Sequence, residues 1–173
     1  MKRHMNPDGS VGGWVADTAS VTPTAFVGVD ARVRGRALVT DHAVVNGYAV
    51  VGGNARIDGY ATVTGYARVN GNARMDSYAM ANIDAVITGD ARVTGYARME
   101  GSARVTDHAV VEGHAVVTGY ARVIDHARVD TDAVVTGYAV VGGRARVTNR
   151  AMMNGFARVD GDTVVPSAVK FKK

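Results

Sequence analysis

Apolar and polar positions alternate along this chain with a period that never slips. From Ala19 to Ala157 every sixth residue is alanine, twenty-four positions without a break. Two residues after each alanine stands an aliphatic residue, Val21, Val27, Val33 and onward. Ile57, Met75, Ile87, Met99 and Met153 are variants, and Ala81 is the one truncation. Residues two apart share one face of a strand, and the residue between them faces the other way. Each hexad therefore predicts a short strand with Ala and Val inward and Arg or Val outward. The next three residues, commonly x-Gly-x, predict a turn, where glycine supplies the permissive backbone. One such unit cannot bury its apolar face alone, whereas stacked coils can.

The residue before each alanine sets the number of hexads per coil. From His42 to Asp162, identical pairs number 4 of 20 at one hexad, 3 of 19 at two, and 6 of 18 at three. Three hexads win, giving an all-β solenoid of 18 residues per coil with a triangular section. Ala19 to Thr163 then makes about eight coils, a rod of roughly 35–40 Å at ordinary strand spacing. Residues 1–18 are expected as an N-terminal cap, 19–165 as the β-helix, and 166–173 as a C-terminal cap or tail. Trp14 and Val15 could close the front of the core. Pro166, which lacks a ladder donor, with Val169 and Phe171, could close the back, and the KFKK end adds repelling charge.

The repeat A-[RV]-V-[TND]-G-[YHND] resembles the hexapeptide-repeat family of parallel β-helices over nearly all of Ala19 to Val165. The segment GGWV at Gly12–Val15, followed by plain A-R-V-x-G-x hexads, is similar to a subset of bacterial and phage-encoded members of unassigned role. The resemblance implies a left-handed coil, against the general rule for parallel crossovers. It also implies a homotrimer packed side by side about a threefold axis. Many members transfer acyl groups from coenzyme A. Their usual repeat places Gly directly after the aliphatic residue, whereas here Thr, Asn or Asp stands there and Gly follows.

Asp-His couplets raise the question of chemistry. VTDHAVV occurs at Val39–Val45 and again at Val105–Val111, eleven hexads apart and hence on different corners. Asp41 and Asp107 hold the turn position that elsewhere holds Gly, and Asp is an ordinary turn residue. Asp107-His108 and Asp125-His126 are 18 apart and should stack on one corner. Those four side chains are the candidate metal ligands, for a divalent transition ion. His108, His114 and His126 are the candidate general bases of an acyltransferase. The carbonic anhydrases of this fold use three histidines in another arrangement, so that activity is not carried over.

The outward residues sort into three columns. One, with Arg56, Arg74, Arg92, Arg128 and Arg146, runs beside an acidic turn column and reads as a self-neutralised face. A second is the least charged: Val44, Thr62, Met80, Arg98, Val116, Val134 and Met152. The corner after it carries Tyr48, Tyr66, Tyr120, Tyr138 and Phe156. Val44, Met80, Val116, Val134 and Met152 with those five aromatics are the candidate homotrimer interface, since an exposed apolar stripe edged with aromatics marks a protein contact. The third column, from Arg32 to Arg158, is mixed.

Composition narrows the rest. The chain of 173 residues has no cysteine, which removes disulfides and thiolate metal sites, and its formal charge is +4. The basic start lacks an apolar segment behind it, and no apolar run could span a bilayer. The expected location is cytoplasmic or virion-associated, without a membrane. Spread-out, acid-flanked arginines argue against nucleic acid. A narrow tube of Ala and Val leaves no internal cavity, so no cofactor is expected and function must sit outside. The leading reading is a rigid trimeric rod or scaffold, a component of a virion or surface assembly, resting on the absence of any inserted loop. One alternative is a coenzyme A-dependent acyltransferase with an intersubunit site. Another is a carbohydrate- or partner-binding module using the tyrosine corner.

Overall fold

The computed structural model describes residues 1–166, so Val169, Phe171 and the KFKK end, expected to close the back, lie outside the described residues. Each hexad forms a two-residue strand and a turn, and three sheets result, of nine, eight and ten strands. Strands β1 (Lys2–Met5), β2 (Val11–Val15), β3 (Ser20–Val21) and β4 (Phe26–Val27) begin the chain. Face 1 starts at β3, face 2 at β4 and face 3 at β2. Every pairing within the coil is parallel and joins residues 18 apart, as Arg56 with Arg74 and Val116 with Val134. The coil is therefore triangular with 18 residues per turn, as the periodicity predicts.

The inward pairs form one continuous core. Every alanine from Ala25 to Ala151 is fully buried, as are its aliphatic partners from Val27 to Met153. Alanine leads each inward pair, directly after the turn. The bulkier Ile57, Met75, Ile87, Met99 and Met153 fill the positions beside it.

Most turns close with a bond from the alanine amide back to the residue three before it, such as Ala43 N to Thr40 O at 3.2 Å. The middle residue is left-handed, with φ +69° at Gly65 and +65° at Gly101. Between them in the stack, Ile83 takes φ +60°. A β-branched residue is strained there, at about 1–2 kcal/mol. Ile83 is about half exposed, so its removal loses little burial. Ile83→Gly should therefore raise stability by about 1 kcal/mol, read as a higher denaturation midpoint; a lower midpoint would refute the strain.

The N-terminus is covered differently from expectation. Val15 is core, 3% exposed, but Trp14 points outward with the Arg3 guanidinium 5.0 Å from its ring centroid. The side chain that Trp14 was expected to supply is replaced by backbone and by Asn6. Strand β2 already pairs in parallel with Arg32–Val33, and β1 lies antiparallel on its outer edge. Asn6, 5% exposed, does the same for face 2: Val27 N–H donates to its Oδ1 at 2.9 Å and its Nδ2 donates to Val27 O at 3.2 Å. One amide side chain thus replaces a missing strand's peptide on an open edge. Among the described residues, no helix is long and apolar enough to cross a membrane.

Candidate functional site

With the core filled, chemistry is confined to three faces and three corners. The corner between faces 3 and 1 holds the couplets. Asp41-His42 lies on the corner between faces 1 and 2, away from Asp107-His108, so the two VTDHAVV copies do not converge. His108 and His126 do meet, stacked at 4.8 Å between ring centroids and 4° from parallel. Their aspartates face elsewhere. Asp107 and Asp125 occupy the left-handed turn position at φ 62° and 61°. Asp107 accepts Thr106 Oγ1 at 2.7 Å and Asp125 N at 3.3 Å; Asp125 accepts Gly143 N at 2.9 Å. The Thr106 hydroxyl, and then the Asp125 amide, hold the Asp107 carboxyl below the usual carboxylate range. These bonds commit both carboxylates to the backbone of the next coil. Among the described residues no group of three or more His, Asp or Glu is arranged to hold a metal ion.

The partner of His108 is a residue that sequence reasoning did not single out. Asp90 precedes it by one coil, and its Oδ2 lies 3.5 Å from His108 Nδ1. Asp90 Oδ1 accepts Asn72 Nδ2 at 2.9 Å, and Asn72 Oδ1 accepts Asn54 Nδ2 at 3.0 Å. A polar ladder therefore climbs one corner through Asn54, Asn72, Asp90, His108 and His126. The same 18-residue sort that found the histidine stack contains this ladder; only the column's mixed chemistry hid it. His114 sits on the next corner, stacked on Tyr96 at 4.9 Å.

Face 2 is bordered by aromatics on both sides. Tyr48 stacks on Tyr66, Tyr120 on Tyr138, and Tyr138 on Phe156, at 5.0–5.1 Å. The opposite border, also missed from sequence, runs His42, Tyr60, Tyr78, Tyr96 and His114, at 4.9–5.1 Å. Such a ring spends its faces on its neighbours, so only ring edges and hydroxyls project. That leaves few free ring faces for a sugar to stack upon. Between the borders Val44, Met80, Val116 and Val134 are half-buried and Met152 is exposed.

The arginine column of face 1 is only partly neutralised, which corrects the sequence expectation. Arg56 pairs with Asp58 at 2.7 Å, Arg128 with Glu112 and Asp130, and Arg146 with Asp130 at 2.6 Å. Asp130 is 2% exposed. Burial alone would raise its pKa, but bonds from Thr148, Arg146 and Thr131 outweigh it and keep the group ionised to lower pH. Arg74 and Arg92 have no such partner among the described residues. Asp76, the acid nearest in sequence to Arg74, instead accepts the Thr94 and Ser77 hydroxyls. Side-chain orientation, which the repeat does not encode, decides this.

No family model matches the sequence, and no curated protein matches it. Solved structures do. A UDP-N-acetylglucosamine acyltransferase of Francisella novicida superposes with a TM-score of 0.73 at 16% identity, over 80% of this chain and 58% of that one. The chain thus spans a little under three fifths of that enzyme's length. LpxA from Acinetobacter baumannii matches at 9% identity over 81% of this chain and 66% of that one, with a TM-score of only 0.33. The shared shape at the higher score is a parallel coil of 18-residue turns that winds left-handed. The chain has the left-handed parallel β-helix fold, built here from six-residue repeats.

Proposed function

We propose that the protein is a coenzyme A-dependent acyltransferase that works as a homotrimer, with His108 as general base. The observation that carries this reading is the Asp90–His108 pair. A carboxylate beside Nδ1 fixes the ring's tautomer and turns Nε2 outward as the free base. A separation of 3.5 Å is loose, as such pairs commonly are before substrate binds. In the proposed step, Nε2 takes the proton of an acceptor hydroxyl as its oxygen attacks the thioester carbonyl. The carbon–sulfur bond then breaks, and the thiolate of coenzyme A leaves with the proton returned by the imidazolium. The likeness to an acyltransferase coil supports this reading over the scaffold that the sequence favoured.

The His108 and Asp90 side chains are 57% and 49% exposed, so a single chain does not shield them from water. A second copy would. In a closed ring each copy offers one surface to the next and a different one to the last. The apolar stripe of face 2 lies across the triangle from the His108 corner. Docking the stripe of one copy on the corner of the next would wall His108 with Val116 and Val134.

The test is thiol release from acetyl- and longer-chain acyl-coenzyme A with UDP-N-acetylglucosamine as acceptor. Wild type should release thiol, and His108→Gln should slow it by about 10²–10⁴-fold with unchanged mass and melting. Equal rates would remove His108 from the mechanism.

A second reading has its own observation. The twenty-four hexads contain no insertion, so no loop leaves the coil to cover a substrate. A rigid rod in a larger assembly needs none. A stable trimer without thiol release from any of these thioesters would favour it.

A further inference from the structure

We infer that the groove between the polar corner ladder and face 1 binds the pyrophosphate group of a nucleotide. The groove holds about 530 Å³ and is lined by Arg36, Asn54, Arg56, Asn72, Arg74 and Arg92, with Asp90 at one end. Arg56, Arg74 and Arg92 stand in register on three successive strands. Like charges directly opposite on neighbouring strands destabilise a sheet. Elsewhere on this face the chain interleaves acids, as Glu112 and Asp130 do around Arg128. Here the three nearby acids are occupied, Asp58 by Arg56. Asp76 accepts two hydroxyls, and Asp90 faces Asn72 and His108. Among the described residues Arg36, Arg74 and Arg92 have no carboxylate partner, so the groove keeps a net positive charge facing solvent.

Length selects the anion. The arginine run stops at Leu38 on one side and Val110 on the other. Three rungs span only about 10 Å. That suits a short anion and not a polynucleotide track. Guanidinium forks one strand apart can each grip a phosphoryl group in bidentate fashion, and two joined phosphoryl groups use two of them. The exposed Asn54 and Asn72 amides add neutral polar contacts along the same edge. Because Asp90 closes one end, a bound pyrophosphate would lie beside the Asp90–His108 pair. Which nucleotide it belongs to rests on the acyltransferase reading: the adenosine end of coenzyme A or a uridine diphosphate acceptor. The affinity for pyrophosphate itself does not rest on that reading.

The test is titration calorimetry of the full chain with inorganic pyrophosphate, ADP and UDP at low salt. Wild type should bind pyrophosphate saturably, more weakly as salt rises. Arg74→Gln with Arg92→Gln should weaken it at least tenfold, without lowering the melting temperature, since the change removes repulsion. Arg128→Gln, outside the groove, should bind as wild type. Tighter binding of ADP than of UDP would assign the groove to coenzyme A, and the reverse to the acceptor. No saturable pyrophosphate heat, or equal binding by the double variant, overturns the proposal. Binding without thiol release would keep the groove and remove the acyltransferase. Thiol release undiminished by the double variant would remove the groove from the reaction and keep the enzyme.

Discussion

Ala97→Leu should open the middle of the coil. Ala97 is fully buried, with Met99 fully buried beside it on the same inward side. Its amide closes its own turn on Thr94 O at 3.4 Å, and its carbonyl accepts Met80 N of the preceding coil at 2.9 Å. Extra carbons in a filled core cost roughly 1–3 kcal/mol and sometimes more. Here the excess has nowhere to go, because the facing strands are themselves held at strand spacing by coils above and below. In a solenoid each coil leans on its neighbours, so a locally opened rung weakens both halves. The expected result is a loss at or above the top of that range, with amide exchange accelerating first around residues 79–117. Arg98→Leu is the control, because the adjacent side chain is exposed. If Ala97→Leu melted like wild type, the tightness of the tube would be refuted.

Val116→Arg with Val134→Arg should yield folded monomers. The two side chains are neighbours on adjacent strands of face 2, half-buried already by their own coil. Arg98 pairs with Val116 on the strand before. The double variant would thus make three successive arginines in the centre of the stripe. Interface cores exclude charge, and an uncompensated buried cation there costs several kcal/mol. The outward direction of both residues spares the core, so the monomer should keep its β signature and its melting cooperativity. Light scattering would report the fall in mass. A variant that remained an oligomer would show that the copies meet elsewhere, and would take the proposed shelter of His108 with it.

The sequence made legible whatever repeats. Alanine spacing reveals the coil, the inward pairs and the three corners, and an 18-residue sort foretells the His108–His126 stack. What it hid falls into two kinds. The N-terminal closure uses a segment outside the repeat, so Asn6 as a substitute strand leaves no periodic trace, and Trp14, expected with Val15 to close the front of the core, is put outside by strand alternation from the buried Val15. Side-chain orientation is the second kind. Asp76 and Asp58 hold equivalent turn positions, yet one accepts hydroxyls and the other accepts Arg56. That choice leaves Arg74 open and turns a supposedly neutral face into a groove. Asp90 likewise gains its meaning from a histidine one coil away, a relation visible only once the coil length is applied to every column and not to the histidines alone.

The central claim is that copies of this chain assemble to complete a coenzyme A site that one copy lacks. Its most direct test is the solution mass by light scattering, run with and without coenzyme A. The account predicts three chains of 18.1 kDa, about 54 kDa, unchanged in mass but stabilised by the ligand. A mass of one chain, with no response to coenzyme A, would contradict it.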